Sequence, residues 1–222
     1  MFTNYKALLF DFDGVIAETM PFHLAAWRET LLEYGAHLDD RMVLENEGRQ
    51  ALDIASRILK HAGVEVDYKD IQEIVDQKNK LFRSTQQAGI YPEIPHIFSS
   101  AKRHGVQIAL VTGTLDKNVR SVVSPEIYAQ FEAVIDGRAV AQGKPAPDPY
   151  LRAAENLGVR AAECIVIENA PMGILSAKAA GMFCIAVCTT LTGEQLKEAD
   201  VKVLNHEELK AFLEQSVFNS GH

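Results

Sequence analysis

The chain has 222 residues, of which 47% are hydrophobic and 23% are charged, and its formal net charge is −8 at pH 7. This length and composition suit one globular domain with a small insertion. The acidic balance argues against nucleic acid or an anionic membrane surface as a main partner. A small anionic substrate stays compatible with it, because a metal ion can reverse the charge locally.

The sequence contains no apolar run of about 18 residues and no secretory signal peptide. Its three cysteines, Cys164, Cys184 and Cys188, lie in or beside apolar segments without C-x-x-C spacing. This pattern is typical of buried free thiols in a reducing compartment. We therefore expect a cytoplasmic protein without a membrane partner, and the self-contained, acidic composition predicts a monomer.

The first predicted element is a strand at residues 5–10, a mostly apolar segment typical of a strand buried on both faces. Asp11 and Asp13 follow it on the same side of an extended chain, and Gly14 then permits a sharp turn. Neighbouring carboxylates at a buried strand end repel each other, and a cation such as Mg²⁺, which prefers oxygen ligands, would remove that repulsion. An acidic turn that caps the next element is the alternative.

The pattern of residues 21–88 predicts helices only. These span 21–34, about 50–62 and about 69–87, and Thr19 is a possible cap of the first. Three polar side chains in this region are candidates for ligand binding, and each has a structural alternative. His23 shares a face with apolar residues, where a purely structural histidine is common. Lys78 lies within an apolar stripe, where it needs an anion or partner unless it extends to water. Arg49 follows a glycine at a helix start, where it could bind phosphate or remain solvated.

From residue 90 onward, apolar segments alternate with helical patterns. Strands are predicted at 106–111, 133–135, 164–167, 184–187 and 201–204. Helices are predicted at 92–104, 116–123, 149–157 and 171–180, with Asp148 as the cap of the third. Together with the first strand, this alternation predicts an α/β fold with a doubly wound parallel sheet.

Polar residues collect at the predicted carboxyl ends of several strands. In a doubly wound sheet the ligand crevice lies at this edge. The set is Asp11, Asp13, Thr112, Glu168 and Asn169, with Lys144 in a loop on the same side. The convergence of these residues is a stronger indication of a functional site than any one of them.

The same residues resemble the four signature motifs of the haloacid dehalogenase superfamily of phosphotransferases. The motifs appear in order as Asp11-Phe12-Asp13-Gly14-Val15, Thr112 in Leu-Val-Thr-Gly-Thr, Lys144 in Gly-Lys-Pro-Ala-Pro-Asp-Pro-Tyr, and Glu168-Asn169. The resemblance covers nearly the whole chain. It implies a Rossmann-like catalytic core at residues 1–16 and 90–222, with a small helical cap inserted at 17–89.

The chemistry expected of these residues is phosphoryl transfer. The Asp11 carboxylate would attack phosphorus and form an aspartyl phosphate, while Asp13 would act as general acid and then as general base. Thr112, the Gly113 N–H and Lys144 would hold the phosphoryl oxygens. Mg²⁺ is the expected cofactor, with a predicted ligand set of Asp11, the Asp13 backbone carbonyl, Glu168 and Asn169. Because family members that cleave other bonds generally lack the second aspartate, a phosphate ester is the expected substrate.

Asn169 departs from the family pattern, in which an aspartate usually stands at this position. Asn offers a neutral oxygen at similar reach, so we expect weaker Mg²⁺ binding with retained activity. On this reasoning Asn169→Asp should lower the half-saturating Mg²⁺ concentration.

Within the superfamily, the predicted cap is similar to that of beta-phosphoglucomutase and its phosphatase relatives. The residues with counterparts in that subgroup are Thr19, His23, Trp27, Arg49 and the pair Lys78-Asn79. The resemblance implies that Thr19 lies in the hinge and that Arg49 grips a distal phosphate or sugar substituent. His23 and Lys78 would link cap and core near Asp13.

One departure from that subgroup bears on the reaction. Leu115 and Asp116 stand where the mutase carries a phosphate-gripping Lys-Asn pair. The loss of a cation favours a phosphatase that acts on a small phosphorylated metabolite, such as a sugar phosphate. A beta-phosphoglucomutase-type mutase is the alternative, and a catalytically weakened phosphate-binding protein is a second one.

Overall fold

A computed structural model describes residues 5–218 of the chain. A single sheet of six parallel strands forms its centre, in the spatial order β3-β2-β1-β4-β5-β6. The strands are β1 (Ala7–Phe10), β2 (Gln107–Val111), β3 (Ala133–Ile135), β4 (Cys164–Glu168), β5 (Phe183–Val187) and β6 (Val201–Val203). The predicted α/β fold with a doubly wound parallel sheet is confirmed.

Helices cover both faces of the sheet because its central strands are apolar on both sides. Leu8 and Phe10 of β1 pack into one hydrophobic cluster, and Ala7 and Leu9 pack into a second cluster on the opposite face. The described helices after the insert are α5 (Ile94–Arg103), α6 (Asp116–Val119), α7 (Pro125–Tyr128), α8 (Asp148–Leu157), α9 (Pro171–Ala179) and α10 (His206–Leu213). A 3-10 turn spans Ala161–Glu163 and a π-helical turn spans Glu214–Phe218.

Between β1 and α5 the chain forms a helical insert with its own hydrophobic cluster, which includes Trp27, Leu31 and Ile58. Its helices are α1 (Met20–Glu33), α2 (Asp40–Leu44), α3 (Ala51–His61) and α4 (Tyr68–Thr85). The two ends of the insert meet where Ala17 forms an antiparallel bridge with Ile90. The insert falls within the predicted cap at 17–89. The division of the chain into cap and core stays a prediction, and residues 1–4 and 219–222 of the predicted core lie outside the described part.

The register of the central strands brings their polar ends together. Phe10 aligns with Leu110 of β2 and Ile167 of β4, so the residues that follow these positions leave the sheet side by side. The backbone N–H of Asp11 donates to the Ile167 carbonyl at 3.0 Å. The carboxyl ends of β1, β2 and β4 therefore form one polar edge beneath the insert.

Several predicted boundaries are wrong in instructive ways. The predicted helix at 116–123 ends at Val119, and the short helices α2 and α7 were not predicted, because four or five residues are too few to show a helical period. Asp148 is the first helical residue of α8 rather than its cap. Thr19 does hold the position before α1, but its hydroxyl makes no cap hydrogen bond.

No helix within residues 5–218 combines the length and apolar character that a membrane span requires.

Candidate active site

A cleft lies between the polar edge of the sheet and the insert, with about 530 Å³ of space that includes open solvent. Asp11 and Asp13 line it from the core, and His23, Arg49 and Lys78 line it from the insert. The structure thus brings both predicted acids and three predicted cap residues to one cavity.

Asp11 belongs to a buried charged cluster on the core side of the cleft. Lys144 Nζ donates to Asp11 Oδ1 and to Glu168 Oε1, each at 2.6 Å, and to the Val111 carbonyl at 2.9 Å. All three charged side chains are at most 3% exposed. Burial raises the pKa of Asp11 to about 8 although the Lys144 charge opposes the rise. Burial would lower the pKa of Lys144, but the two carboxylates hold it above its usual value.

Glu168 positions Lys144 rather than facing the cleft. Its Oε1 accepts from Lys144 and from the Tyr150 hydroxyl, the latter at 2.8 Å. Its Oε2 accepts from the backbone N–H groups of Asn169 and Ala170 at 3.0 and 3.1 Å. Four donors already fill the two oxygens, so the geometry favours a supporting role over the predicted direct contact with a metal ion.

Asp13 occupies a different environment from Asp11. Its Oδ1 accepts from the Thr19 hydroxyl at 2.6 Å and lies 3.0 Å from His23 Nε2, and its Oδ2 accepts from the Thr114 hydroxyl at 2.6 Å. Burial alone would raise the pKa of Asp13, but His23 and the two hydroxyl donors outweigh it and hold the pKa well below its usual value. This carboxyl is therefore stabilised in its ionised form.

Lys78 extends this hydrogen-bonded chain into the insert. Its Nζ lies 2.7 Å from His23 Nδ1, and the side chain is buried against the rings of Trp27 and Phe82. Burial lowers the pKa of Lys78 to about 7, and burial together with the Lys78 charge lowers the pKa of His23. A neutral His23 with its proton on Nε2 can accept from Lys78 and donate to Asp13 at the same time.

Thr112 and Gly113 continue the polar edge at the end of β2. The Thr112 hydroxyl oxygen accepts from the Thr114 N–H at 3.0 Å, which leaves its own proton free to donate. A Cβ on Gly113 would collide with the backbone carbonyl of Arg49, so only glycine permits this close approach of the insert. Gln50 Nε2 also donates to the Gly137 carbonyl at 2.8 Å. The insert therefore lies directly against the core at the end of β2.

Two buried donors in the lining of the cleft have no partner among the described residues. One is Arg49 Nε, whose guanidinium also pairs with Asp53 at 2.9 Å. The other is Asn79 Nδ2. Arg83 donates to Asn118 Oδ1 at 2.7 Å, and Asn118 Nδ2 donates to Asn79 Oδ1 at 2.9 Å. Because a guanidinium can only donate, this chain fixes both amide orientations and leaves Asn79 Nδ2 as an unused donor.

Asn169 contacts the insert through its amide nitrogen. Asn169 Nδ2 donates to Glu47 Oε1 and to Thr190 Oγ1, both at 3.0 Å. Burial and the nearby carboxylates raise the pKa of Glu47 well above its usual value, against the hydrogen bond from Asn169. Gly14, at φ +79°, has no side chain to obstruct this amide.

The residues of this edge fit a cation, although residues 5–218 contain no group of three or more His, Cys, Asp or Glu side chains arranged to hold one. Asn169 Oδ1 is a buried acceptor without a partner among these residues. Such an atom is costly unless a cation or donor reaches it, and amide and carbonyl oxygens suit Mg²⁺.

The two residues that depart from the mutase pattern supply no cation to the cleft. Leu115 lines the cleft with an apolar side chain. Asp116 turns to the surface, where it pairs with Arg120 at 2.7 Å and accepts from the Tyr128 hydroxyl at 2.6 Å. Among the described core residues, Lys144 is the cation in contact with Asp11.

Sequence reasoning assigned no role to four residues that complete this arrangement, and it noted Asn79 only as a counterpart within the subgroup. The four are Glu47, Thr114, Asn118 and Tyr150. Only Thr114 carried a usable signal, since it lies two residues after Thr112 at a strand end. The others acquire their partners through tertiary contacts across as many as 122 positions of sequence, as between Glu47 and Asn169.

Comparison with known proteins gives a consistent result over most of the chain. A family model described as haloacid dehalogenase-like hydrolase matches residues 5–181. The chain is 30% identical over 211 residues to beta-phosphoglucomutase from Bacillus subtilis, an alignment that covers 92% of this chain and 91% of the relative. It is 31% identical over 194 residues to fructose-1-phosphate phosphatase YqaB from Escherichia coli, covering 84% of this chain and 98% of the relative.

A solved structure agrees with these matches. CbbY from Rhodobacter sphaeroides, crystallised in complex with phosphate, superposes with a TM-score of 0.81 at 28% identity, over 92% of this chain and 96% of that chain.

Proposed function

The chain belongs to the haloacid dehalogenase-like hydrolases, in the beta-phosphoglucomutase-like subgroup, and we propose that it is a magnesium-dependent phosphatase for a small phosphorylated metabolite. The observation that carries this proposal is the pair of acids at the end of β1. Asp11 contacts a buried ammonium group, whereas Asp13 contacts three potential proton donors. Both acids line the same cleft.

Asp11 is the proposed nucleophile. One of its oxygens would bond to phosphorus while the ester P–O bond breaks, and the leaving oxygen would take a proton from Asp13. Water, deprotonated by Asp13, would then release phosphate from the aspartyl phosphate. Thr112, the Gly113 N–H and Lys144 would hold the phosphoryl oxygens during both steps.

The environment of Asp13 suits the second step directly, because its hydrogen bonds favour the carboxylate that a base requires. The first step requires the protonated form. A bound phosphate ester brings negative charge into the cleft and thereby raises the pKa of Asp13 toward that form.

The proposed holders of Mg²⁺ are the Asp11 carboxylate, the Asp13 backbone carbonyl and Asn169 Oδ1, with Glu168 behind them. When bound, the ion would neutralise negative charge on the phosphoryl group. Lys144 reaches Asp11 independently of it, so this chain's own residues already orient the nucleophile.

The unused donors in the cleft support a hydroxyl-bearing substrate. Asn79 Nδ2 and Arg49 Nε have no partner among the described residues, and both side chains line the cavity. Hydroxyl or phosphate oxygens of a sugar phosphate would satisfy both donors. The likeness to a fructose-1-phosphate phosphatase supports the same substrate class.

A beta-phosphoglucomutase-type reaction is the second candidate, and the similarity to the Bacillus subtilis enzyme favours it. In that reaction a second sugar phosphate, rather than water, would accept the phosphoryl group from Asp11. A mutase must hold a bisphosphate in two orientations, and the positions of Leu115 and Asp116 supply no second core cation. This difference supports the phosphatase, for which we also keep the predictions of a monomer and a cytoplasmic location.

The deciding experiment measures phosphate release from a panel of sugar phosphates and other small phosphate esters, with and without Mg²⁺. The panel includes fructose 1-phosphate and beta-glucose 1-phosphate, the latter with a trace of its 1,6-bisphosphate. Release that requires Mg²⁺ and disappears in Asp11→Asn is the expected result. Glucose 6-phosphate without free phosphate would instead establish the mutase, and binding of inorganic phosphate without any turnover would indicate a phosphate-binding protein.

A further inference from the structure

A carboxylate of the cap reaches the position where the chain departs from its family. Glu47 lies in the loop between α2 and α3 and is 4% exposed, while Asn169 in the core is fully buried. Glu47 Oε1 accepts from Asn169 Nδ2 at 3.0 Å. Thr190 joins the pair, since its hydroxyl accepts from Asn169 at 3.0 Å and donates to Glu47 Oε2 at 3.4 Å.

This contact determines which way the Asn169 amide faces. Asn169 presents its NH₂ group to this contact, because Nδ2 donates to both Glu47 Oε1 and Thr190 Oγ1. The amide oxygen then points away from Glu47, and it is the buried atom that has no partner among residues 5–218. Glu47 thus engages the amide nitrogen and leaves Asn169 Oδ1 unpaired among these residues, two positions after Ile167, which aligns with Phe10 at the end of β1.

We propose that Glu47 is a positioning residue that latches the closed cap to Asn169 and orients Asn169 Oδ1 toward the cation site. The proposal explains why Asn, rather than Asp, suits this position. An aspartate has no amide N–H, so the hydrogen bond to Glu47 Oε1 would be lost and two buried carboxyl groups would face each other. The cap then adds the Glu47 carboxyl group to this edge, and does so only when it lies against the core.

The latch adds a condition to the expectation that Asn169→Asp lowers the half-saturating Mg²⁺ concentration. Asn169→Asp should tighten Mg²⁺ binding only after the Glu47 carboxylate is removed. The inference rests on the proposed function only in taking Asn169 as a metal-facing residue, because the contact between cap and core needs no metal ion.

The first test measures hydrogen–deuterium exchange of residues 44–50 in EDTA, for the native chain and for Glu47→Ala. Loss of the latch should accelerate exchange in this segment about tenfold, as expected for the loss of a buried hydrogen bond. Glu45→Gln is the matched control, since Glu45 is exposed and lies in the same loop. Unchanged exchange in Glu47→Ala would overturn the proposal, whether or not the protein turns over any substrate.

The second test is a double-mutant cycle with Asn169→Asp and Glu47→Gln, read by calorimetric titration with MgCl₂. Asn169→Asp alone should accelerate exchange in EDTA and leave the Mg²⁺ dissociation constant within about twofold of the native value. The double variant, in which the new amide can donate to the new carboxylate, should restore protection and bind Mg²⁺ about fivefold or more tightly.

The latch would be contradicted if the effects of the two substitutions on the Mg²⁺ dissociation constant were additive. In that case Asn169→Asp would tighten Mg²⁺ binding equally whether Glu47 is present or not. If Asn169→Asp fails to fold while the double variant folds, the need for one amide donor between these two side chains is supported directly. Because the exchange measurements are made without metal or substrate, a failure of the proposed phosphatase activity leaves them interpretable.

Discussion

On the core side and the cap side of the cleft, the pKa values of two neighbouring carboxyl groups shift in opposite directions. Asp11 and Asp13 leave the same strand, and both are buried. On the core side, burial dominates and raises the pKa of Asp11 to about 8 despite Lys144. On the cap side, hydrogen bonds and His23 outweigh burial and lower the pKa of Asp13.

The difference follows from which elements build each side. Lys144 and Glu168, the charged partners around Asp11, come from loops and strand ends of the sheet. Two of the three partners of Asp13, Thr19 and His23, come from the start of the insert and from α1. The partners described here for Asp11 thus come from the core, whereas two of the three partners of Asp13 come from the insert. In the proposed reaction, this arrangement would couple proton transfer by Asp13 to the exclusion of water.

The largest effect is expected on the core side, from Lys144→Met. This change leaves the Asp11 and Glu168 carboxylates buried without their cation, which costs about 3–5 kcal/mol of unfolding free energy. Urea unfolding measures it. Lys178→Met is the control, because Lys178 pairs with Asp200 at the partly exposed surface and should lose only about 0–1 kcal/mol. Equal losses in the two variants would show that the core cluster is not specially dependent on Lys144.

On the cap side, Asp13→Asn should lower kcat/KM for a sugar phosphate by about 10²–10⁴-fold, the usual contribution of a general acid. The same change should affect p-nitrophenyl phosphate far less, because its leaving group departs without a proton. Steady-state kinetics with both substrates measures the difference. A similar loss with both would place Asp13 outside the proton-transfer step. Asp116→Asn serves as the control, since that acid turns to the surface.

The same division explains how much the sequence could predict. Asp11, Asp13, Thr112 and Lys144 follow strand ends or fixed motifs, so local pattern and the rule for parallel sheets were enough to bring them to one edge. The fold class was predictable for the same reason, because six apolar segments alternate with helices.

The cap side depends on contacts that no local pattern encodes. Lys78 was ambiguous in the sequence, since an apolar helix face does not reveal whether a lysine reaches water or a partner. The structure buries it against His23, 55 positions away. The Glu47–Asn169 contact was likewise invisible, because it exists only when the insert lies against the core. Glu168 was predicted as a metal ligand, and only its four donors reveal the supporting arrangement.

A smaller effect is expected from the buried cation of the cap. The folded-state pKa of Lys78 is about 7 because burial disfavours its charge, whereas an unfolded lysine titrates near 10.4. Between these values the unfolded chain binds more protons, so this group makes stability rise with pH, by up to about 1.4 kcal/mol per pH unit. The contribution is lowest below about pH 7, where Lys78 is charged in both states.

Urea unfolding in EDTA at pH 7.5 and 9.5, for the native chain and Lys78→Met, isolates this contribution. The native chain should gain more stability over this range than the variant, since groups common to both cancel in the comparison. Identical pH dependence would show that Lys78 titrates as an exposed lysine does.

The smallest effect concerns substrate selection by the chain of amides in the cap. Asn79→Asp keeps an oxygen to accept from Asn118 but replaces the unused Nδ2 donor of Asn79 with a negatively charged acceptor. The kcat/KM for the best sugar phosphate should fall about tenfold to a hundredfold, mainly through KM. The substrate oxygen that bound this donor loses its hydrogen bond, and a phosphate oxygen at this position would also be repelled by the new carboxylate. p-Nitrophenyl phosphate has no hydroxyl groups, so its loss should be smaller.

Asn46→Asp is the control. It also replaces an amide with a carboxylate, but the Asn46 amide donates to the Met42 carbonyl within the cap, so the ratio of the two kcat/KM values should stay unchanged. A ratio that also stays constant in Asn79→Asp would mean that this donor faces water rather than substrate, and the apolar walls and Arg49 would then have to account for selectivity.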